Sequence, residues 1–76
     1  MGQKLTFEYD ADGDILFISQ RPPYPEQETR ELGDDVIARL NPRTREIENL
    51  ELLSWSSRLR SGGFELPVAA VLKPAS

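Results

Sequence analysis

The chain has 76 residues, 9 Lys and Arg against 13 Asp and Glu for a formal net charge of -4, and no cysteine or histidine. One domain of that size buries only about 60% of its unfolded surface, so it is marginal without help from disulfides, metal or a partner chain. The missing cysteine and histidine exclude disulfides, thiolate nucleophiles, Cys/His zinc sites and the usual near-neutral base, and the negative charge opposes unaided binding to nucleic acid or an anionic membrane. Oligomerisation is the form of help that remains.

Leu5, Phe7 and Tyr9 alternate with polar residues, and after Asp10-Ala11-Asp12-Gly13 a second segment, Asp14 to Ser19, carries the apolar run Ile15-Leu16-Phe17-Ile18. An Asp-Gly step between two such segments predicts a β-hairpin, with Gly13 expected to take the positive φ of a tight connection. A three-residue loop sets Phe7 opposite Phe17, and a two-residue turn sets it opposite Ile18; both registers are open. Ile15 and Phe17 point to one face of the second strand and Leu16 and Ile18 to the other, which predicts a strand covered on both sides.

Gln20 to Glu26 contains three prolines in four positions and reads as a surface loop. Glu28 to Leu32 alternates weakly and is strongly charged, as an edge strand protected against pairing would be. Gly33-Asp34 invites a tight turn. Val36, Ala38 and Leu40 define a fourth strand, Asn41-Pro42-Arg43-Thr44 a type I turn, and Glu46 to Leu53 a fifth strand. Ile47 is out of phase with Leu50 and Leu52, so either a bulge near Asn49 shifts the phase or both faces are partly covered. Ser54 to Arg60 is the one candidate helix, with Ser54 available as cap, Trp55 and Leu59 four apart on one face, and Gly62-Gly63 ending it. Phe64, Leu66, Val68, Ala70 and Leu72 keep strict period two and predict a last strand, although Pro67 also permits a helix start. The expected fold is therefore α+β and mostly β: a single domain over residues 1–76, with an antiparallel sheet of about five to six strands and one short helix near residues 54–60.

Several pieces in this order resemble one known family: Tyr9-Asp10, Asp14, Leu16-Phe17-Ile18, Glu28-Thr29-Arg30-Glu31, Gly33-Asp34, Asn41-Pro42-Arg43-Thr44, Leu50-Glu51-Leu52-Leu53, Ser57-Arg58-Leu59 and Glu65-Leu66-Pro67-Val68. The resemblance is to the prokaryotic family called domain of unknown function 2283, and it spans nearly the whole chain. It implies a small β-rich protein without assigned activity, with at most a hint of an antitoxin-like partner role. Arg45 and Asn49 stand where that family often has turn glycines.

Asp10, Asp12 and Asp14 match the first three ligand positions of a calcium-binding EF-hand loop, but Ile15 replaces the required glycine and Arg21 the closing glutamate. Turn aspartates of this kind are expected to be structural, with Asp10 accepting backbone N–H groups. No spacing selects two of the chain's carboxylates for acid–base work, and Ser54, Ser56 and Ser57 lack a base. Arg58 and Arg60 beside Trp55 read as a solvated surface over a packed tryptophan. No catalytic residue, metal ligand or cofactor is expected.

Apolar residues on both faces with only one short helix to cover them predict a homodimer or higher symmetric oligomer. Leu16, Ile18, Ile37, Phe64, Leu66 and Val68 are the candidate interface. The functional expectation is a noncatalytic protein-interaction module, antitoxin-like in its capacity for a basic protein partner. The alternative is a small-molecule or metal binder, or a minimal enzyme, using Asp10, Asp14, Glu51 or Arg58 at an inter-subunit cleft. No apolar run approaches the roughly 18 residues of a membrane span and the first four residues lack the features of a secretory signal, so the expected address is cytoplasmic.

Overall fold

The computed structural model describes residues 4–75. Five strands, β1 (Thr6–Asp10), β2 (Ile15–Ser19), β3 (Glu28–Gly33), β4 (Val36–Leu40) and β5 (Ile47–Leu52), precede one helix, α1 (Trp55–Arg60). They form one antiparallel sheet in the order β1-β2-β5-β4-β3. The last strand in sequence is therefore the middle one, and the proline-rich loop carries the chain from β2 to the far edge before β4 and β5 meander back.

Residues in register share a face, and two lines across the sheet define its core. Leu16, Leu52 and Val36 form one, and Ile18, Leu50 and Ala38 the other. Val36, Ala38 and Leu40 are buried, as the alternation in β4 requires, and so is Leu52 of β5. Trp55 of α1, Leu32 and Leu66 pack onto the Leu16–Val36–Leu52 cluster. The edge of Trp55 meets Phe64 with ring centroids 5.3 Å apart at 86°, a favoured aromatic geometry. Leu32 reaches the core because alternation in β3 sets it on the face of Ala38 and Val36, and the ladder becomes irregular only around it, between Glu31 and Gly33. The opposite face carries Phe17 and Ile37, both half-buried and both in register with Glu51, beside the Arg39–Glu51 ion pair of 2.7 Å.

The hairpin between β1 and β2 sets Phe7 opposite Ile18, and its ladder ends at Asp10 and Ile15. The expectation for Gly13 is corrected: the left-handed residue is Asp14, at φ 55. Asp10 Oδ1 accepts the N–H groups of Asp12 at 3.1 Å and Gly13 at 3.4 Å, so the carboxylate organises the start of the loop and the reversal falls one residue later. Gly13 sits instead where a side chain would have to shift two flexible neighbours slightly. A Cβ there would lie 3.2 Å from Ile15 Cδ1 and 3.3 Å from Asp10 Oδ2.

Three further expectations are corrected. Residues 64–72 form neither strand nor helix; the Val68 N–H donates to the Leu66 carbonyl at 2.8 Å, a tight turn about Pro67 that diverts the segment before it can align with a neighbour. Leu59 does not share the buried face with Trp55 but is exposed. Ser54 makes no side-chain cap and sits left-handed at φ 53. Gly62, at φ 86, does terminate α1, its N–H donating to the Leu59 carbonyl at 3.2 Å.

Leu52 fills the centre of the only core cluster among the described residues. Leu52→Ala is expected to cost about 2–5 kcal/mol in urea unfolding, enough to unfold much of a domain this small. The β3–β4 turn holds two non-glycine residues left-handed, Asp34 at φ 52 and Asp35 at φ 60. Asp35→Gly is expected to raise stability by up to about 1 kcal/mol, because only the strained backbone changes.

Candidate functional site

Two polar centres and one apolar strip stand out, and the sheet register places each. At the end of the sheet crossed by the proline-rich loop, Arg39 pairs with Asn49 and Leu40 with Ile47, which leaves Glu48 as an extra residue. Of the two readings of the phase break at Ile47, the structure has the bulge, with Glu48 beside Asn49 as the extra residue. It turns Glu48 and Asn49 together onto the loop. Glu48 accepts hydrogen bonds from the Tyr24 hydroxyl at 2.6 Å, Gln27 Nε2 at 3.0 Å and Asn41 Nδ2 at 3.2 Å, and pairs with Arg21 at 3.4 Å. Asn49 accepts from Gln27 Nε2 and donates to the Arg21 carbonyl, both at 2.7 Å. Among the described residues no buried side-chain polar atom lacks a partner. These bonds favour the carboxylate: the Tyr24 hydroxyl first, then Gln27, lower the Glu48 pKa to about 2. The same contact raises the Tyr24 phenol.

At the other end of the sheet, the turns before β2 and β4 meet the start of α1. Asp14 supplies the cap that Ser54 does not. Its Oδ1 accepts from Ser56 N at 3.0 Å and from the Tyr9 hydroxyl at 2.7 Å, and its Oδ2 from Ser56 Oγ at 2.6 Å. The Ser56 hydroxyl, followed by that of Tyr9, lowers the Asp14 pKa. The Trp55 N–H donates to the Asp14 carbonyl at 3.0 Å and the Leu53 N–H to the Asp35 carbonyl at 2.9 Å. Arg58 donates to the carbonyls of Leu53 and Asp34 and lies over the Phe64 ring at 5.3 Å. Four left-handed non-glycine residues, Asp14, Asp34, Asp35 and Ser54, thus converge where α1 docks. The fifth, Arg45 at φ 68, follows the Asn41 turn and pairs with Glu28.

These engagements decide what the carboxylates can do. Asp10 organises its own turn, Asp14 holds α1, Glu51 pairs with Arg39, and Arg58 clamps two carbonyls. Among the described residues no group of three or more Asp or Glu side chains is placed to hold a metal ion. Two open recesses are present. One, of about 290 Å3, lies against Thr6, Glu8, Ser19 and Arg21; the other, of about 340 Å3, lies against Asp34, Asp35, Ser54, Arg58 and Phe64. Both are near the lower bound of about 300 Å3 for ligand pockets.

The apolar strip lies on β1. Phe7 and Tyr9 are in register with Ile18 and Leu16, hence on the core's own face. Because β1 is outermost, neither α1 nor a further strand covers them, and Leu5, Phe7 and Tyr9 remain 42%, 60% and 51% exposed. Of the interface residues expected from sequence, Leu16 is buried in the core, and Ile18 and Leu66 are half-buried against it. Phe64 is exposed beside Trp55, Ile37 lies on the opposite face, and Val68 follows the turn at Pro67. The six therefore do not form one patch. Sequence reasoning missed Leu5, Phe7 and Tyr9 as surface: their alternation was visible, but the outer place of β1 was not.

No family model matches the chain, and neither a curated protein nor a solved structure matches it. No helix of the described residues is long and apolar enough to cross a membrane.

The Glu48 carboxylate yields a pH prediction. Its pKa is lowered on folding from 4.5 to about 2, so the unfolded chain takes up the proton first, and the stabilisation is complete above the unfolded value and lost as pH falls from about 4.5 towards 2. Glu48→Gln is expected to flatten that part of the acid-unfolding profile, followed by circular dichroism against pH. An unchanged slope in the variant would remove Glu48 as its source.

Proposed function

We propose that the protein is a noncatalytic protein-interaction module that works as a symmetric oligomer, with the β1 face as its contact. One observation carries this reading: Phe7 and Tyr9 lie exposed on the face that elsewhere forms the core, with Leu5 exposed just before β1. A second copy that covered Leu5, Phe7 and Tyr9 would extend the existing core across an interface, the usual geometry of self-complementary association. The size of the chain supports the same reading, since help from disulfides is absent.

Charge shapes the assembly. Two copies each carrying -4 repel, so the contact is apolar and salt tightens it by screening. A partner other than a second copy would be basic and would meet the acidic strand β3, where Glu31 is exposed at the sheet's other edge. The alternative of a ligand or metal site using Asp10, Asp14, Glu51 or Arg58 draws less support, because each already serves the fold.

Light scattering at micromolar concentration is expected to give at least twice the 8.6 kDa chain mass. Phe7→Ser is expected to return the chain to a monomer with its circular dichroism intact, since Phe7 contributes little to the intramolecular core. A wild-type monomer across the micromolar range would sink the proposal.

A further inference from the structure

Resting on that reading, we infer that the contact is an exchange of strands, in which residues 68–73 of each chain add to the free edge of β1 in a second copy. The segment has the pattern of a strand and no strand to pair with. Pro67 and Pro74 bracket Val68-Ala69-Ala70-Val71-Leu72-Lys73, six consecutive residues that all carry a backbone N–H, which is the common length of a strand. Within one chain they form no ladder, and Val71 and Leu72 are 84% and 81% exposed.

The sheet offers two edges, and they differ. β3 is charged and irregular between Glu31 and Gly33, features that discourage addition. β1 is regular, pairs only with β2, and leaves Phe7 and Tyr9 exposed on the core face. An added segment with Val68, Ala70 and Leu72 on one face would lay those side chains beside Phe7 and Tyr9, continuing the alternation of the sheet. Charge agrees: β1 carries Glu8 and Asp10 without a cation, whereas residues 68–73 carry Lys73 without an acid.

The single chain exposes more surface than a compact one of its mass. Its accessible area is 5829 Å2, whereas a compact monomer of 8.6 kDa exposes about 4,700 Å2. The surplus, about 1,100 Å2, compares with about 800 Å2 per partner in a stable interface. The radius of gyration of 12.8 Å likewise exceeds the about 11.4 Å of a compact chain of this length. A reciprocal exchange buries two such segments at once, and each supplies main-chain donors to an edge that lacks partners.

The test compares the wild type, Phe7→Ser and the double variant Ala69→Pro/Ala70→Pro by light scattering over a concentration series. Ala69 and Ala70 are exposed, and the two prolines remove one donor from each side of the segment without touching the core. If the exchange occurs, the double variant keeps its circular dichroism and its dimer dissociation constant rises by at least about 100-fold, through lost ladder bonds and misaligned side chains. A double variant that stays dimeric while Phe7→Ser is monomeric overturns the exchange and leaves the β1 contact standing. A wild-type monomer overturns both. The chain has no cysteine, so Thr6→Cys in one chain and Val71→Cys in another report pairing directly: a cross-linked dimer that forms in the mixture and in neither single-cysteine chain alone supports exchange. A cross-link that forms only within a chain carrying both substitutions, at monomer mass, shows that the segment folds back onto its own β1 and overturns it.

Discussion

The strand that completes this sheet last in sequence lies at its centre, and β5 can occupy that place only if the loop from β2 to β3 stays clear of it yet remains fixed. The bulge at Glu48 meets both conditions. By adding one residue opposite the Arg39–Leu40 step, it turns two adjacent polar side chains towards the loop, where Tyr24, Gln27 and the Arg21 carbonyl complete their hydrogen bonds. A buried amide or carboxylate left without partners costs more than a satisfied one contributes. The network therefore specifies the path of the chain between β2 and β3 more than it adds stability.

The opposite end of the sheet solves a different problem. A six-residue helix cannot persist alone, so its position must come from tertiary contacts. Here Asp14 caps it across the sequence, Trp55 enters the core, and Phe64 and Arg58 close over the outside. The left-handed residues at Asp14, Asp34, Asp35 and Ser54 are the cost of bringing three chain reversals to one place. Each is held by backbone bonds or side-chain bonds from a neighbouring element, which is the condition under which such strain persists. The helix then covers the middle of the sheet and leaves β1 bare, so the fold that buries Leu52 is the same one that exposes Phe7.

Most local structure was legible in the sequence. Apolar and charge patterning located all five strands to within a residue, the phase break at Ile47 admitted a bulge as one of two readings, the prolines of residues 22–25 marked the loop, and Gly62 marked the end of the helix. Legibility failed wherever a side chain from elsewhere replaced a local solution. Asp14 took over the cap expected of Ser54, and Asp10 displaced the left-handed position from Gly13 to Asp14. In residues 64–72 the alternation is as regular as in any strand, but Pro67 bends the chain and no ladder forms within one copy.

The sequence by itself determined the class of fold, the positions of its β-strands and helix, and the chemistry that histidine and cysteine would have supplied and cannot. Those depend on periodicity, turn residues and composition, which are local properties of the chain. Tertiary structure alone decided that β5 sits between β2 and β4, that Leu16 and Ile18 face inward, and that Leu5, Phe7 and Tyr9 face solvent. An apolar side chain has the same pattern whether its strand is central or outermost, and only the order of strands in space settles whether another element lies above it.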